Sequence, residues 1–445
     1  CIRIRPPPRP TLFPYTTLFR SREGFPADPA AGEDLAAMVG RHLARPTAPI
    51  WMDSSTHAEC LEIDAALGGA DEVRRRSGSA AIERFSGPQI RRYAKADPKG
   101  YAATARIHLV SSFMCSLLVG ASAPIDAGDG AGMNLLNLAS GDWDDALLAA
   151  TAPGLRERLP GVVPSNTVVG TLSPYFVRRH GFAQGTPVVV WSGDNPNSLI
   201  GVGGWRPGTA VISLGTSDTY FAAMREPAVD PRGSGHVFGT HAGGVMCRIC
   251  FKNGSLARER VKETHGLSWP QFDVEAFAAT PAGNGGNLML PYFVPEITPL
   301  VLQPACVRRG SQAFQRDADA YAAVRAIVEA QALSMRLHSG WIGTAPDALR
   351  VTGGASRSAG ICAVLASVFA APVDRLETGN SAALGAAMRA ANGSAGDDWG
   401  DLAARFCRCD PARRVVPNDA DVAVYRDAIA RYAGLEQEFL ASCKS

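Results

Sequence analysis

The most constraining feature of the sequence is an alternation of strand-like and helix-like segments in its second half. Residues 348–351 and 373–376 are short apolar runs typical of strands, whereas residues 357–369 and 382–391 read as helices. Strands that alternate with helices in this way pair in parallel, and their crossover connections are right-handed. The sequence therefore predicts an α/β fold that contains a parallel sheet.

Length and charge narrow the class further. A chain of 445 residues predicts two domains, and the stretch 203–208, rich in Gly and containing Pro, marks the boundary between residues 205 and 206. With 46% hydrophobic and 19% charged residues, the composition is that of a soluble globular protein. The net charge of +2 predicts no nucleic-acid or membrane partner, and no apolar stretch is long enough to span a bilayer.

The cysteines indicate a reducing compartment. Ten of them are scattered along the chain, and the single Cys-x-x-Cys motif is Cys247 to Cys250. A zinc site needs further ligands at suitable spacing, so we expect two residues of one strand, with redox or metal chemistry as the alternative. The absence of a signal peptide favours the cytoplasm.

Residues 1–21 differ from the rest of the chain. They contain a Pro/Arg cluster and then aromatic residues, with no helical or strand period that continues beyond residue 21. We interpret them as a non-native leader, and a natural disordered tail is the alternative.

Further periodicities predict the elements around the candidate site. The predicted helices are 35–43, 57–67, a buried helix at 107–118, 319–342 and 420–441. The predicted strands are 49–52 and 187–191, and residues 209–212 and 220–223 are expected to form a hairpin.

Asp194 is the candidate catalytic residue. It comes after the apolar run 187–191, in the segment Gly193-Asp194-Asn195-Pro196. Open α/β sheets bind ligands beyond the carboxyl ends of their strands, where a carboxylate can remove a hydroxyl proton. Asn195 offers a donor and an acceptor to a polyol. A helix-capping role for Asp194 is the alternative.

Two further motifs are suited to a nucleotide. The loop Leu214 to Thr219 is small and rich in hydroxyl groups, and its backbone N–H groups can bind phosphate oxygens. Gly353-Gly354 lies between a strand and a helix, which permits close approach of a nucleotide. An ordinary hairpin turn and a plain strand-to-helix turn are the alternatives. Together with Asp194 these motifs predict phosphoryl transfer from a nucleotide to a hydroxyl.

With these motifs in place, the chain resembles the FGGY family of sugar kinases, and within it the xylulose kinases of animals. The resemblance runs from about Pro49 to the C-terminus. It is carried by Trp51 to Thr56, Glu83 to Gly87, Leu109 to Phe113, Gly132 to Leu136, Gly193 to Pro196, Ser213 to Thr219, Phe251 to Leu256, Gly283 to Leu288 and Thr352 to Ser356.

The resemblance implies a fold and a reaction. The fold is two actin-like, ribonuclease-H-type α/β domains with an active-site cleft between them. Residues 22–205 would form the sugar-binding N-terminal domain and residues 206–445 the ATP-binding C-terminal domain. The reaction would be transfer of the ATP γ-phosphoryl group to the 5-hydroxyl of D-xylulose with Mg²⁺, in a monomer or homodimer.

The resemblance also assigns roles to residues. Asp194 would be the general base, and Asn195 and Arg84 would bind the sugar together with it. Thr216 would lie by the phosphates. The adenosine would be lined by Trp269, Gly353, Gly354 and Ala355. Packing for Trp269 and a surface ion pair for Arg84 are the alternatives.

Two departures from the family pattern affect these expectations. Ser358 stands where relatives usually have Asn, so we expect a weaker nucleotide contact there. The N-terminal phosphate hairpin and a Gln-Gln-His-Gly segment of the family are absent from the sequence after Arg22, so the first domain is expected to be incomplete. Another FGGY sugar or polyol kinase and an inactive nucleotide-binding remnant are the alternative functions.

The incomplete first domain leads to a prediction about the 445-residue chain itself. We expect it to turn over little or no D-xylulose, because part of the phosphate-binding machinery is missing. A coupled assay of ADP release measures this. Turnover at ordinary kinase rates, on the order of 1–100 per second, would contradict the expectation.

Overall fold

The computed structural model describes residues 16–19, 25, 34–50, 52–240, 244–376 and 380–443. The chain divides into two compact units. The first unit comprises the residues up to Ile200 together with Val237–Val245 and Ala382–Asp401. The second comprises Gly201–His236, Met246–Ser381 and Leu402–Ser445.

The first unit contains short strands and many helices. Its helices are Leu35–Gly40, His57–Ala66, Ala70–Ser77, Ser86–Ala96, Pro98–Ala102, Val110–Val119, Ala127–Ala131, Asp145–Thr151, Pro174–His180, Asp194–Gly201 and Ser381–Ala395, with a 3₁₀ turn at Arg156–Arg158. Its strands pair as Thr16–Phe19 with Arg106–Leu109 and Val168–Thr171 with Pro187–Val189, both antiparallel, and Ile125–Asp126 with Val162–Val163, parallel.

The second unit is built on a larger sheet. Its strands are Thr209–Leu214, Asp218–Met224, Val245–Phe251, Leu288–Tyr292, Ala305–Arg309, Ala348–Thr352 and Val373–Arg375. A further strand, His236–Gly239, begins at the last residue of the segment Gly201–His236. Its helices are Ser255–Thr264, Ala276–Ala279, Gln312–Gln315, Ala320–His338, Ala359–Phe369 and Asp419–Ser442, and the helix Trp399–Phe406 begins in the first unit and continues into the second. A π-helical turn at Gln271–Glu275 and 3₁₀ turns at Ala282–Gly286, Gly340–Ile342, Gly354–Arg357 and Pro411–Arg413 complete it.

The strands of the second unit form a mixed sheet with a parallel part and a hairpin. The strands Val373–Arg375, Ala348–Thr352, Thr209–Leu214, Asp218–Met224 and Val245–Phe251 lie side by side in that order. The first three are parallel to one another, and the hairpin partner Asp218–Met224 is antiparallel. The predicted parallel sheet and the hairpin are therefore confirmed.

The longest predicted helix packs into this core. The pattern over residues 319–342 corresponds to the helix Ala320–His338, which the Asp319 side chain caps by accepting from the N–H of Ala322. Fourteen of its residues are buried, because it packs against neighbouring helices and the strand Leu288–Tyr292. The final helix, Asp419–Ser442, matches the predicted range 420–441 within two residues.

The single buried helix predicted over residues 107–118 is wrong. Arg106–Leu109 is a strand, and the helix Val110–Val119 begins only after it. The reason is pairing, because Arg106–Leu109 has a partner in Thr16–Phe19 that keeps its backbone extended. The Ser112 hydroxyl then accepts from the N–H of Leu109 at 3.1 Å, which starts the helix.

The strand predicted over residues 49–52 is also not found among the described residues 49, 50 and 52. The N–H of Asp53 donates to the carbonyl of Ile50 at 2.9 Å and closes a turn. The side chains of Ile50 and Met52 are 42% and 62% exposed, so the apolar run does not enter a core.

Other expectations lie partly outside the described residues. Of the leader at 1–21, only Thr16–Phe19 is described, and it forms a strand. The leader interpretation and the boundary at 205/206 stay predictions. The division by compactness places Ala382–Asp401 with the first unit.

The Cys247 and Cys250 pair lies in one strand, Val245–Phe251, as expected. Both side chains are buried, and burial raises the pKa of the Cys247 thiol to about 12. In the part of the chain that the structure describes, no group of three metal-ligating side chains occurs. None of the helices in the same part combines the length and apolar character needed to cross a bilayer.

A matched pair of valines tests the assignment of the core. Val211 is fully buried in the central strand, whereas Val416 is 69% exposed. We expect Val211→Ala to lower the free energy of unfolding by about 2 kcal/mol, since two buried methyl groups and their contacts are lost. Val416→Ala should change it by less than about 0.5 kcal/mol. Denaturant unfolding measures both, and equal effects would contradict the assigned core.

Candidate functional site

Asp194 begins a helix in the first unit. The strand Pro187–Val189, whose two valines are buried, leads through a short loop into the helix Asp194–Gly201. The side chain of Asp194 is exposed. The amide of Asn195 donates a hydrogen bond of 2.9 Å to Asp194 Oδ1. A carboxylate is thus presented beyond a strand end, with one oxygen held by its neighbour.

A buried arginine, Arg389, bonds to residues on both sides of this loop. Its guanidinium donates to the carbonyl of Val190 at 2.9 Å and to that of Ser165 at 2.5 Å. It also donates to Asn197 Oδ1 at 2.9 Å. Val190 precedes the loop and Asn197 lies in the first turn of the helix, so one side chain fixes both ends of the segment that carries Asp194.

Arg84 projects from a turn that other side chains fix. The carbonyl of Glu83 accepts from Thr56 Oγ1 at 2.6 Å and from Gln89 Nε2 at 2.8 Å. Arg84 itself is half-buried and belongs to the same unit as Asp194. Within this unit the structure brings Asp194 and Asn195 into contact, and the sugar-binding role of Arg84 stays a prediction.

The Thr216 loop joins two antiparallel strands of the second unit, and its hydroxyl-bearing residues Thr216 and Ser217 are exposed. Its backbone packs closely on Gly254. A Cβ atom added there would lie 2.7 Å from the carbonyl oxygen of Thr216 and 2.8 Å from that of Gly215. The N–H of Ser255 donates to the same Gly215 carbonyl at 2.8 Å. The loop is therefore fixed by its backbone while its hydroxyl groups stay accessible.

A buried ion pair anchors the end of this loop. Arg258 donates to Asp218 Oδ2 at 2.8 Å and to Oδ1 at 3.2 Å, and it also donates to Gln331 Oε1 at 2.7 Å. Gln331 in turn donates to the carbonyl of Asn253 at 2.7 Å. Burial raises the pKa of Asp218, and the Arg258 charge opposes that shift.

A second carboxylate holds the turn on which the loop packs. Glu296 accepts from the N–H groups of Lys252 and Asn253 at 2.6 and 3.0 Å, and from the Asn253 side-chain amide at 2.8 Å. The Asn253 side chain also accepts from the N–H of Val294 at 3.0 Å. Glu296 and Asn253 are both buried. The turn on which the loop packs is therefore held by hydrogen bonds between buried polar groups.

The glycine pair at Gly353 and Gly354 serves two different needs. Gly353 has φ of +90°, and a Cβ atom on it would lie 2.1 Å from the carbonyl oxygen of Leu214. Gly354 is exposed, and a Cβ atom there would meet nothing within 4 Å. Gly353 thus allows this turn to lie against the start of the Thr216 loop, and Gly354 offers a flat open surface.

A cavity of about 550 Å³ lies next to this turn. Its volume is within the range of small-molecule pockets. It is lined by Ser213, Thr352, Gly353, Gly354, Ser356, Arg357, Arg375, Leu376, Ser381 and Arg413. The three arginines give it positive charge, which suits a phosphate-bearing ligand.

The remaining predicted nucleotide residues flank the same turn. Ala355 is half-buried in the 3₁₀ turn Gly354–Arg357. Ser358 is buried, and its hydroxyl caps the helix Ala359–Phe369 by accepting from the N–H of Ile361 at 3.3 Å. The nucleotide contact predicted for Ser358 stays a prediction, and its hydroxyl already has this capping role.

Trp269 is 48% exposed and lies within cation–π distance of Lys262, whose Nζ is 5.3 Å from the ring centroid. The helix Ala276–Ala279, a few residues after Trp269, packs against the helix that follows the glycine pair, since a Cβ atom on Gly360 would lie 2.3 Å from Phe277. Trp269 is therefore an exposed aromatic surface in the same unit as the cavity.

The sequence reasoning missed the supporting side chains. Asp129, Arg389 and Glu296 were not singled out, although the sequence of residues 126–130 is polar and contains two aspartates, Asp126 and Asp129. A lone charged residue in a helix rich in Ala, such as Arg389 in Ser381–Ala395, was the available signal, because a buried cation needs partners. Its partners Ser165, Val190 and Asn197 are distant in sequence, so no local pattern could identify them.

Comparison with known proteins assigns the chain to a known group. The model of the FGGY family of carbohydrate kinases, N-terminal domain, matches residues 42–201, and that of the C-terminal domain matches residues 210–393. A xylulose kinase of Rattus norvegicus is 41% identical over 409 residues, which cover 89% of this chain and 74% of the relative. Xylulose kinase 2 of Arabidopsis thaliana is 42% identical over 362 residues, covering 78% of this chain and 64% of the relative.

Solved structures agree on the fold. The crystal structure of xylulose kinase from Rhodospirillum rubrum superposes with a TM-score of 0.81 at 22% identity, covering 97% of this chain and 83% of that one. The predicted fold class, two α/β domains of the FGGY kinase type, is confirmed.

The two glycines of the pair allow a matched test of the second unit. Gly353→Ala should lower the free energy of unfolding by about 2 kcal/mol or more, because the new Cβ strains a left-handed backbone and overlaps the Leu214 carbonyl. Gly354→Ala should leave stability nearly unchanged and weaken nucleotide binding instead. Denaturant unfolding and calorimetric titration with ADP separate the two effects. The same loss of stability in both variants would contradict this division.

Proposed function

Because the chain belongs to the FGGY family of carbohydrate kinases, we propose that its reaction is transfer of the γ-phosphoryl group of ATP to the 5-hydroxyl of D-xylulose. The low turnover expected above concerns the 445 residues alone. The observation that carries the proposal is Asp194, an exposed carboxylate at the start of a helix with one oxygen held by Asn195. The identity to relatives named xylulose kinases, 41% and 42%, supports the choice of sugar.

The proposed reaction is an in-line displacement at phosphorus. The carboxylate of Asp194 accepts the proton of the sugar 5-hydroxyl as that oxygen forms a bond to the γ-phosphorus. The bond from the γ-phosphorus to the bridging oxygen breaks, and ADP leaves with the electron pair. The products are D-xylulose 5-phosphate, ADP and the proton first taken up by Asp194.

Sugar recognition is assigned to the first unit. Asn195 keeps a side-chain oxygen free to accept from a sugar hydroxyl while its amide donates to Asp194. Arg84 offers further donors from a turn that Thr56 and Gln89 fix. A rigid support suits discrimination between sugars, because a misplaced hydroxyl then leaves a polar group unpaired.

ATP recognition is assigned to the second unit. The exposed Thr216 hydroxyl and the loop backbone would contact phosphates, and the open face of Gly354, with Gly353, Ala355 and Trp269, would hold the adenosine. The arginines of the adjoining cavity add positive charge. Mg²⁺ would arrive bound to the phosphates, where it neutralises developing charge, and it typically keeps several water ligands.

Two other functions are the alternatives. Another FGGY kinase would phosphorylate a different ketose or polyol more efficiently, and a panel of sugars distinguishes it. An inactive remnant would bind nucleotide without turning over any sugar. The exposed position of Asp194 favours an active kinase over the remnant. The reducing cytoplasm is the proposed location.

Replacing Asp194 tests the proposed base. In the full-length gene product, Asp194→Asn should lower kcat by about 10²–10⁴-fold, because proton transfer is lost while the side chain keeps its size. D-xylulose binding, measured by calorimetry, should stay within a few fold of the unchanged protein. Asp145, also the first residue of a helix and 86% exposed, provides the control.

The outcomes separate the hypotheses. Asp145→Asn should leave kcat unchanged, and 5-deoxy-D-xylulose should bind without becoming phosphorylated. Persistent turnover in Asp194→Asn would show that another group acts as the base. Efficient turnover of a different sugar would replace D-xylulose as the substrate, and nucleotide binding without any turnover would establish the remnant.

A further inference from the structure

A second carboxylate, Asp129, lies next to the loop that carries Asp194. A Cβ atom added to Gly193 would lie 2.7 Å from Asp129 Oδ1 and 3.4 Å from its Cγ. The other oxygen, Oδ2, accepts a hydrogen bond from the hydroxyl of Ser111. The carboxyl group of Asp129 therefore occupies the space that a side chain at position 193 would need, directly before the proposed base.

We propose that Asp129 is a positioning residue for Asp194. This proposal rests on the kinase function proposed above. Its carboxyl group packs on Gly193 and fixes the backbone from which Asp194 extends. Its negative charge also favours the acceptance of a proton by Asp194, since the repulsion between two carboxylates falls when one of them becomes neutral. No bond to Asp129 forms or breaks in the reaction.

Charged side chains from three segments act on the Asp129 carboxylate. Asp126 caps the short helix Ala127–Ala131 that carries Asp129, and Asp194 begins a second helix; both repel the negative charge of Asp129. Arg389, from the helix Ser381–Ala395, attracts it. Asp126 is itself fully buried and its Oδ2 lies 3.7 Å from Arg389 Nη2, so Arg389 is shared between Asp126 and Asp129.

These surroundings make the ionised form of Asp129 unfavourable. Shielding from water, with the repulsion from Asp126 and Asp194, raises the pKa of Asp129 to about 6, although Ser111 and Arg389 oppose the shift. A carboxyl group whose pKa is raised in the folded state binds its proton more tightly there than in the unfolded chain. Its contribution to stability is therefore present at low pH and is lost as the pH rises from about 4 to about 6.

The direction in which Tm changes when Asp129 is replaced distinguishes a positioning role from a purely structural one. At neutral pH the Asp129 carboxylate costs stability, so its replacement by the neutral, equally large Asn should raise Tm. A residue that serves only the fold would lower Tm when replaced. The proposal thus expects Asp129→Asn to be more stable and less active at pH 7.5.

The pH profile of kcat/KM gives the first test, with D-xylulose or whichever sugar the full-length protein phosphorylates. Above pH 7, Asp129→Asn should be slower by about fivefold or more, because the charge beside Asp194 is missing. Below pH 5 the two profiles should converge, since Asp129 of the unchanged protein is then protonated and as neutral as the Asn that replaces it. Asp142→Asn, an exposed change in the same unit, should match the unchanged protein throughout.

A double-mutant cycle tests the packing independently of turnover. Gly193→Ala should lower Tm, because the new methyl group overlaps Asp129 Oδ1. In an Asp129→Ala background, the same change should cost less than half as much, since the overlapping carboxyl group is gone. An equal loss of Tm in both backgrounds would overturn the contact.

The two tests also separate this inference from the proposed function. If no sugar is phosphorylated, the kinase proposal fails, while the Tm cycle still decides whether Asp129 positions the loop. If a sugar is phosphorylated, a ratio of kcat/KM values between Asp129→Asn and the unchanged protein that does not vary with pH would overturn the electrostatic role. A lower Tm of Asp129→Asn at pH 7.5 would do the same, because it would show a carboxylate that stabilises the fold.

Discussion

The parallel pairing of two strands, Thr209–Leu214 and Ala348–Thr352, is the constraint on which the second unit depends. Its register sets Thr352 opposite Ser213, so the chain leaves both strands at the same edge of the sheet. Gly353 then contacts the Leu214 carbonyl, at a distance that only a residue without a Cβ can accept. Two loops that are about 140 residues apart in sequence become adjacent backbone surfaces because of this pairing.

Buried polar groups then make these surfaces rigid. The Thr216 loop packs on a turn whose N–H groups at Lys252 and Asn253 donate to Glu296. Near the end of the loop, Asp218 accepts from Arg258. Such networks contribute little net stability when compared with apolar packing, but breaking one partner leaves an uncompensated buried charge. Their effect here is geometric, since they hold the backbone of a loop whose hydroxyl groups stay exposed.

The first unit uses charge in a different way. Arg389 holds both ends of the Asp194 loop, while Asp126 and Asp129 place negative charge next to it. Desolvation lowers the pKa of Arg389, and the two carboxylates oppose that shift. The guanidinium of Arg389 thus donates to several acceptors at once. A shift of its side chain would therefore break more than one of these hydrogen bonds.

Much of the fold and of the candidate site was predictable from local sequence. The helix Ala320–His338 and the hairpin around Thr216 follow from periodicity and from a small polar loop between apolar runs. One error occurred where strand pairing overrides helix propensity. Arg106–Leu109 reads as part of a helix, and it became a strand because Thr16–Phe19 pairs with it.

By itself the sequence determined the α/β class, the family and the exposed candidates Asp194 and Thr216, since these depend on residue types at short spacing. Tertiary structure alone decided which side chains support them. Asp129 against Gly193, Arg389 on Val190 and Glu296 on Asn253 each join residues from separate elements. The physical reason is that the energy of a buried charge, and the need for a residue without a Cβ, depend on the atoms that lie next to them in space.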